Sequence, residues 1–502
     1  MIPAFLSFSL NVVLIFVTVS LFLYNYAIRN NDHWKKKGVP YVKPTPIIGN
    51  FWDVLTFRIS IGGLLTKYYN QFKEPYFGMF ILDKPHLIVK GPELIRSILI
   101  KDFNYFYDRT VLSDEKCDSL SSSMLFFTKN PEWKYIRNKM TPAFTSGKIK
   151  SMFHLIHEAA ESLNKYIRRN IDRPSIECKE VCAKYSTDVI TSCAFGLEGD
   201  SFNNEDAPFR KVGRQMFDFK LSTAIRQTSY FLTPALVKLF RMPFLDRATT
   251  DFLRSVFWRT IEDREVGTYK RNDLIDIVRE LKKSSGEFKL EGDKVVAQAA
   301  QFFAAGFETV SATMSFTLYE LCLNHEIQNK LREEIQSTMM QYETMSYEAI
   351  QSMKYLHMVV CETLRKYPVL PFLDRMTMSD YKIPNSKTII EKGTPVYIPL
   401  FALHCDPEYF PNPDLFDPER FSSENKSKLQ NFVYIPFGDG PRNCIGERFG
   451  LITTKMGLVQ LLSEFQVERS SDTPVPIKFE TKTFLLASDI GLPMKFRKIE
   501  TH

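Results

Sequence analysis

The first 28 residues are almost entirely apolar and contain no Asp, Glu, Lys or Arg. A membrane-spanning helix needs about 20 such residues, so this run is long enough to cross a bilayer once. A cleaved signal peptide is the alternative, but that kind of segment starts with basic residues and has a shorter apolar run. Here the basic residues follow the run, at Arg29 and at 35–37. This order favours a membrane anchor with the rest of the chain in the cytosol.

Residues 29–50 are basic and rich in proline. Because proline fixes φ and cannot continue a helix, we expect a stiff, extended spacer here. A second apolar stretch at 231–245 belongs either to the core or to a surface that touches the membrane. The chain is therefore expected to have three parts, namely an anchor at 1–28, a linker at 29–50 and a cytosolic body at 51–502.

Helical spacing of apolar residues dominates the body, above all over 148–370. The longest helical run begins after Glu291 and continues to about Met340, with a break near Asn324. Short strands are predicted at 85–90, at 394–399 and in the tail beyond 465, and a further helix is predicted after Cys444. The predicted fold class is mainly α with a smaller β-rich part.

Charge and composition limit the classes of function that the chain can have. The 502 residues contain 65 Lys plus Arg against 58 Asp plus Glu, a net charge of +7. This excess is too dilute for a dedicated nucleic-acid binder, and it suits contact with an anionic membrane or an acidic partner. Phe occurs 42 times, which is typical of a large core or of an aromatic-lined pocket for apolar ligands. The eight cysteines have neither zinc-finger nor Cys-x-x-Cys spacing, so we expect a reducing compartment.

One cysteine lies in a glycine-rich segment, Phe437-Gly-Asp-Gly-Pro-Arg-Asn-Cys444-Ile-Gly446. The glycines permit a tight loop with little side-chain bulk near the sulfur. The helix predicted after Cys444 adds its positive end, which favours thiolate over thiol. A buried structural cysteine in a glycine turn is the alternative. A thiolate presented by a loop suits an axial iron ligand.

Two further motifs place polar groups on helices. Trp133 and Arg137 are one turn apart, and both donate hydrogen bonds of the kind that a haem propionate accepts. The run Ala304-Ala-Gly-Phe-Glu308-Thr309 interrupts an apolar helix with small residues, which let a flat ligand approach the backbone. The Thr309 hydroxyl can bond a carbonyl one turn earlier, and Glu308 can relay protons through water. Ordinary amphipathic helices are the alternative for both motifs.

The cysteine loop and these motifs resemble the cytochrome P450 family, the haem-thiolate monooxygenases, over about residues 40–490. The anchor and basic linker resemble those of microsomal members. The general character of the sequence resembles that of arthropod detoxifying members. The resemblance implies the mainly α fold of that family and haem b ligated by Cys444. It implies haem contacts from Trp133, Arg137, Arg375, Phe437 and Arg442. It also implies a buried bracing network of Glu362, Arg365 and Arg420, the last within Pro418-Glu-Arg-Phe421.

For function, the resemblance implies insertion of one oxygen atom from O2 into lipophilic molecules such as xenobiotics, plant toxins, insecticides, terpenoids or steroids. Glu308 and Thr309 are the expected catalytic residues. Electrons would come from NADPH through a flavoprotein reductase, with cytochrome b5 as a further partner, at the cytosolic side of the endoplasmic reticulum membrane. Lys134, Lys139 and Lys148 are expected to face the reductase. The positions that resemble the family's substrate pocket are Phe106, Phe127, Phe302, Phe303, Ala305, Val369, Leu370 and Phe484.

Two alternatives remain at this stage. A thiolate-haem isomerase or dehydratase of oxidised lipids would need no NADPH, but such enzymes often lack the alcohol that this chain retains at Thr309. A catalytically silent haem-binding or scaffold protein would not need the motifs to be complete. The sequence has no nucleotide-binding motif, so electrons must reach it from a partner protein.

Overall fold

The computed structural model describes residues 2–266, 274–283, 288 and 290–499. Its α-helices are α1 (Ile2–Ile28), α2 (His33–Lys36), α3 (Trp52–Leu55), α4 (Ile61–Tyr69), α5 (Pro92–Arg96), α6 (Ser119–Ser122), α7 (Glu132–Met140), α8 (Ser146–Ser151), α9 (Phe153–Asn170), α10 (Cys178–Ile190), α11 (Pro208–Met216), α12 (Leu221–Leu232), α13 (Pro234–Phe240), α14 (Arg247–Val266), α15 (Leu274–Lys283), α16 (Asp293–Leu323), α17 (His325–Tyr342), α18 (Tyr347–Ser352), α19 (Lys354–Lys366), α20 (Leu400–His404), α21 (Ser423–Lys426) and α22 (Glu447–Leu462).

The strands are β1 (Tyr76–Ile81), β2 (Lys84–Val89), β3 (Ile176–Glu177), β4 (Leu373–Met376), β5 (Tyr381–Lys382), β6 (Ile389–Ile390), β7 (Pro395–Ile398), β8 (Phe465–Arg469) and β9 (Pro493–Lys498). Helix far outweighs strand, which confirms the predicted mainly α class. The strands predicted at 85–90 and 394–399 are β2 and β7, and the predicted tail strands are β8 and β9.

The chain divides into two compact units. The sheet unit comprises Met1–Thr110 and Phe372–Ala402, and the helical unit comprises Val111–Pro371 and Leu403–His502. In the sheet unit, four strands lie in the order β1-β2-β7-β4, where β2 pairs antiparallel with β1 and parallel with β7. The separate pair β5-β6 completes this unit, and the helical unit holds a three-stranded sheet in the order β3-β9-β8.

The sheet unit begins with the apolar helix α1, whose 27 residues span about 40 Å at 1.5 Å per residue. Its window Asn11–Ile28 has a mean hydropathy of 1.9 and no buried residue. Within the described part of the chain, α1 is the one helix long and apolar enough to cross a membrane. The structure thus bears out the helix that the sequence predicts at the N-terminus.

The segment after α1 is folded against the sheet rather than extended. Trp34 is fully buried, and its Nε1 donates to the Met79 carbonyl at 3.3 Å. A Cβ added at Gly78 would lie 2.3 Å from the indole, so glycine leaves the room that the ring needs. Arg29 pairs with Asp83 at 2.6 Å. These contacts correct the expectation of an extended spacer. The buried Trp34 indole holds the segment against the sheet at a point before its proline-rich part.

The helical unit is built around α16, which has 31 residues and a length of about 46 Å. It ends at Leu323, and Asn324 separates it from α17, which confirms the predicted break. Helix α10 crosses it closely, since a Cβ at Gly306 would meet Ile190 Cδ1 at 2.4 Å. Gly306 therefore leaves the room that Ile190 needs where the two helices pack, and the approach of a ligand to the small residues 304–306 stays a prediction.

The apolar stretch 231–245 divides between core and surface. Phe231 and Leu245 are buried, at 3% and 2% exposed. Leu239 and Phe240, at the end of α13, are 71% and 68% exposed. The core interpretation therefore holds for Phe231 and Leu245, and membrane contact stays a prediction for the exposed pair Leu239 and Phe240.

Candidate active site

The cysteine loop has the tight geometry that its glycines predict. Gly438 and Gly440 have φ angles of +71° and +72°, a region that side chains with a Cβ rarely adopt. The Cys444 amide donates to the Phe437 carbonyl at 2.9 Å and closes the loop. The Cys444 side chain is exposed, and α22 begins three residues later at Glu447. The sulfur thus lies close to the positive end of a helix, where a thiolate is favoured.

Helix α7 contacts this loop through two side chains. Arg137 donates to the carbonyl of Asn443 at 2.8 Å and to its Oδ1 at 2.7 Å. The Arg442 guanidinium lies 4.1 Å from the centre of the Trp133 ring, and it donates to a backbone carbonyl, that of Thr128, at 3.0 Å. The structure thus brings together Trp133, Arg137 and Arg442 beside Cys444. The propionate contacts that the family resemblance implies for these three residues stay predictions.

Two residues of α16 are exposed although most of that helix is buried. They are Ala305 and Thr309, one turn apart on the same face. The Thr309 hydroxyl donates to the Ala305 carbonyl at 2.7 Å, which confirms the bond predicted one turn earlier. Phe302, on the preceding turn, lies 5.2 Å from Phe449, a residue of the helix that follows Cys444. This contact brings α16 next to the helix that follows the cysteine loop.

Glu308 has a partner that sequence reasoning missed. Its Oε1 lies 2.9 Å from Lys179 Nζ, near the start of α10, and the same Nζ donates to Ser311 Oγ at 2.6 Å. Glu308 is 14% exposed and Lys179 is 25% exposed. The lysine lies beside the carboxylate as a counter-charge and is the more exposed of the two side chains. No local pattern relates residues 129 positions apart, so the sequence held no signal for this pair.

The three residues of the predicted bracing network meet in the helical unit. Arg365 donates to both oxygens of Glu362, at 2.7 and 2.8 Å, and both side chains are fully buried. Arg420 Nε lies 3.4 Å from Glu362 Oε1. Arg365 also donates to the His404 carbonyl at 2.9 Å. The network therefore ties α19 to the segments that lead toward the cysteine loop.

His404 continues that connection. Its Nε2 accepts a hydrogen bond from the amide of Ile435, two residues before Phe437, at 3.1 Å. Burial lowers the pKa of His404 to about 3, and the nearby positive charge of Arg365 adds to this shift. The imidazole is therefore neutral, which leaves Nε2 free to accept. Sequence reasoning missed His404 as well, because a single histidine in a helix carries no distinctive pattern.

Arg375 belongs to the sheet unit and is 1% exposed. Its Nε has no hydrogen-bond partner among the residues that the structure describes. Burial lowers the pKa of Arg375 to about 9, and the charge of Arg109 lowers it further. A buried guanidinium with an unsatisfied N–H group costs free energy unless an anion compensates its charge. Haem carries two propionates of that kind, so this residue fits the chemistry of the group that the resemblance implies.

The aromatic residues proposed for a pocket fall into two groups. Phe484 contacts Phe231 at 5.0 Å between ring centres, and Phe127 contacts Phe244 at 4.9 Å. Leu486 donates to the carbonyl of Val369 at 2.9 Å, which places the C-terminal loop beside Val369 and Leu370. Sequence reasoning missed Phe231 and Phe244 as members of this aromatic group.

The second group is packed against other aromatic rings. The Phe303 ring is fully buried against Phe195 and Phe209, at 6.5 and 5.5 Å. Phe302 is half-buried between Phe144 and Phe449. Phe303 is thus a core residue, and the pocket role of Phe302 stays a prediction. Phe106 is fully buried in the sheet unit, where its ring lies 4.8 Å from Tyr381.

Comparisons with known proteins agree with this arrangement. The family model named Cytochrome P450 matches residues 39–492. The protein named "Cytochrome P450 6k1", from Blattella germanica, is 43% identical over 508 residues and covers 97% of this chain and 96% of its own length. "Probable cytochrome P450 6g2", from Drosophila melanogaster, is 40% identical, covering 92% of this chain and 94% of its own. This chain therefore belongs to the cytochrome P450 family of haem-dependent monooxygenases.

Proposed function

We propose that this chain inserts one oxygen atom from O2 into lipophilic small molecules, using NADPH-derived electrons from a flavoprotein reductase. The observation that carries this proposal is the exposed Cys444 of a glycine loop. The helix that follows this loop contacts α16, whose exposed residues are Ala305 and Thr309. Apolar xenobiotics, plant toxins, insecticides, terpenoids and steroids are the proposed substrate range, with cytochrome b5 as a second electron donor.

Different residues of the chain have different roles in this proposed reaction. Cys444 would hold haem b as its thiolate ligand. Bound haem supplies the iron chemistry that activates O2 and transfers one oxygen atom to a C–H bond. The Thr309 hydroxyl, now bonded to the Ala305 carbonyl, is placed to hold a proton on the exposed face of α16. Glu308, paired with Lys179, is the group through which that proton is replaced from solvent.

An apolar substrate is favoured by the aromatic side chains of the helical unit. Phe127, Phe231, Phe244 and Phe484 are each no more than 7% exposed and contact one another edge to face or tilted. Such a wall offers a ligand large apolar area and few hydrogen bonds. It supports lipophilic molecules as the substrate class.

The proposed location is the endoplasmic reticulum membrane, with the body on the cytosolic side. Helix α1 supplies the anchor, and the basic residues that follow it are expected to remain in the cytosol. Leu239 and Phe240 of α13 form an exposed apolar pair. We propose that this pair enters the lipid surface, because large exposed apolar side chains are costly in water.

Turnover with isotope-labelled O2 tests the proposed reaction. Recombinant full-length protein and a reductase are incubated with NADPH and a panel of apolar compounds, and products are analysed by mass spectrometry. We expect one labelled oxygen atom in each product and no product without NADPH. Unlabelled product formed without NADPH from oxidised lipids would overturn the proposal in favour of an isomerase or dehydratase. The intact Glu308–Thr309 pair argues against that outcome.

A further inference from the structure

The segment between α13 and α14 is held by a carboxylate from a distant part of the chain. Asp118 Oδ2 accepts hydrogen bonds from the amides of Phe244 and Leu245, at 3.1 and 3.2 Å. Two consecutive amides that point at one oxygen make a concave stretch of backbone, which suits an anionic oxygen. Asp118 is 6% exposed, so water has little access to these bonds. The carboxylate therefore fixes the backbone at Phe244.

Asp118 is itself held at the start of α6. Its Oδ1 accepts from the amide of Ser121 at 2.9 Å, and its Oδ2 accepts from the Ser121 hydroxyl at 2.8 Å. The first of these bonds caps the helix. All four donors to the carboxylate are neutral protein groups, and none of them is a group that the family resemblance assigns to haem. The carboxylate thus joins α6 to the segment before α14 through contacts that do not depend on the cofactor.

The next residue connects α6 to two long helices. The Ser119 hydroxyl donates to Asp293 Oδ2, at the start of α16. Arg254 of α14 donates to both oxygens of the same carboxylate, at 2.8 and 3.0 Å. Two parallel bonds from a planar guanidinium fix orientation as well as distance. Helix α6 is therefore attached to a frame made by α14 and α16, which makes Asp118 a fixed support for the segment.

Phe244 belongs to the wall of four phenylalanines described above. Its ring centre lies 4.9 Å from that of Phe127 and 6.2 Å from that of Phe484. Tyr230 contacts the same ring at 5.2 Å, and its hydroxyl donates to the Met242 carbonyl at 2.9 Å. The segment is thus held at Met242 as well as at Phe244. Because the backbone carries the ring, a shift of the Phe244 amide moves the ring against its neighbours in the wall.

We propose that Asp118 is a positioning residue for the substrate. It sets where the Phe244 ring stands in the wall, and thereby how strongly the site favours longer apolar molecules over shorter ones. The inference rests on the proposed function, since it takes the wall of four phenylalanines as the surface that an apolar substrate meets. Asp118 acts through the two amides that bond to it and through the ring that this backbone carries, without touching the substrate.

A polar cavity of about 310 Å³ adjoins these bonds. Its lining includes Glu115, Cys117, Asp118, Leu245 and Arg254. A cavity of this size with polar walls is large enough to hold water. Removing the Asp118 carboxylate would therefore leave the two amides to bond to water, and the segment that carries Phe244 would lose its fixed position.

Hydrogen–deuterium exchange of the haem-loaded, full-length protein tests this support directly. We expect Asp118→Ala to speed exchange of the Phe244 and Leu245 amides by about tenfold or more, the effect of losing hydrogen bonds to a charged acceptor. Asp118→Asn keeps the shape but only one acceptor oxygen, so its exchange should be intermediate. The matched control is Ser121→Ala, which removes one bond of the same carboxylate and leaves both amides bonded. Unchanged exchange in Asp118→Ala, or equally fast exchange in Ser121→Ala, would overturn the proposal.

Binding of N-alkylimidazoles separates positioning from general loosening. The imidazole nitrogen ligates haem iron and changes its absorbance, while the alkyl chain probes the apolar site. One buried methylene group raises affinity by about fourfold, so affinity for the unmodified protein should rise from N-methylimidazole to N-octylimidazole. We expect Asp118→Ala to weaken N-octylimidazole by at least the worth of one methylene group, about fourfold, and to leave N-methylimidazole unchanged.

Two results of this titration would contradict the role of Asp118. Equal weakening of both compounds would show damage to haem binding rather than a displaced wall, and unchanged binding of N-octylimidazole would show that the wall has not moved. Asp118→Asn should give a smaller loss in the same direction, and it carries the comparison if Asp118→Ala does not fold. Neither measurement needs NADPH or O2, so absence of turnover beside the expected dependence on chain length would contradict the proposed reaction and not the role of Asp118.

Discussion

The Glu362 carboxylate is buried and bonded from several sides in the helical unit, and its replacement by glutamine gives a sharp prediction. It accepts from Arg365 at 2.7 and 2.8 Å and from the Asp417 amide at 3.0 Å, and Arg420 lies at 3.4 Å. Glu362→Gln keeps the volume but turns one acceptor oxygen into a donor. Arg365, which is fully buried, then loses a bond and its counter-charge.

Breaking a buried pair in this way costs about 3–5 kcal/mol, since a charge remains without compensation in a place that water does not reach. The total stability of a folded protein is only about 5–15 kcal/mol, so the loss is large. Arg365 also holds the carbonyl of His404, whose ring accepts from Ile435 near the cysteine loop. We therefore expect the variant to lose haem as well as stability.

Urea denaturation of the haem-loaded protein, followed by haem absorbance and by tryptophan fluorescence, measures both effects. The matched control is Glu424→Gln, which removes an exposed pair with Lys428 at 3.2 Å and should cost less than about 0.5 kcal/mol. Similar denaturation midpoints for Glu362→Gln and Glu424→Gln would refute the reasoning that burial makes the first pair essential.

Three further predictions follow from exposed or docked side chains. Joint charge reversal of Lys134 and Lys139 should lower reductase-driven turnover and spare peroxide-driven turnover, and equal loss of both would contradict the reductase contact. A spin label at Leu239 of the full chain in vesicles should be shielded from water-soluble relaxing agents, unlike one at Met340, which is 83% exposed; equal accessibility would contradict the lipid contact of α13. Trp34→Ala should cost about 3–5 kcal/mol and open 29–50 to proteases, and an intact segment would contradict its docking on the sheet.

Much of the fold follows from local patterns. The uncharged run becomes α1, the apolar periodicity after Glu291 becomes α16 and α17, and the glycines around Cys444 become a tight loop before α22. Each of these depends on neighbours within a few residues, where periodicity, capping and backbone freedom are visible in the sequence. The Thr309 bond to the Ala305 carbonyl is local in the same sense.

The parts that could not be predicted are contacts between distant positions. The pairs Trp34 with Gly78, Ile190 with Gly306 and Lys179 with Glu308 depend on how separate elements meet. No periodicity within either element specifies its partner. The same holds for Arg137, whose donors suit an anion but meet Asn443 in the folded chain. The sequence therefore shows which residues can take part in binding or catalysis, but it does not show which residues they contact.

The carbon monoxide difference spectrum of the reduced protein tests the central claim most directly, because it reports whether a thiolate ligates the iron. We expect the thiolate signature in the unmodified protein and in Cys117→Ala, a control cysteine whose Sγ makes only a long contact of 3.7 Å with the Val237 carbonyl. We expect its complete loss in Cys444→Ala. A thiolate signature that survives in Cys444→Ala would contradict the account, since another residue would then hold the iron.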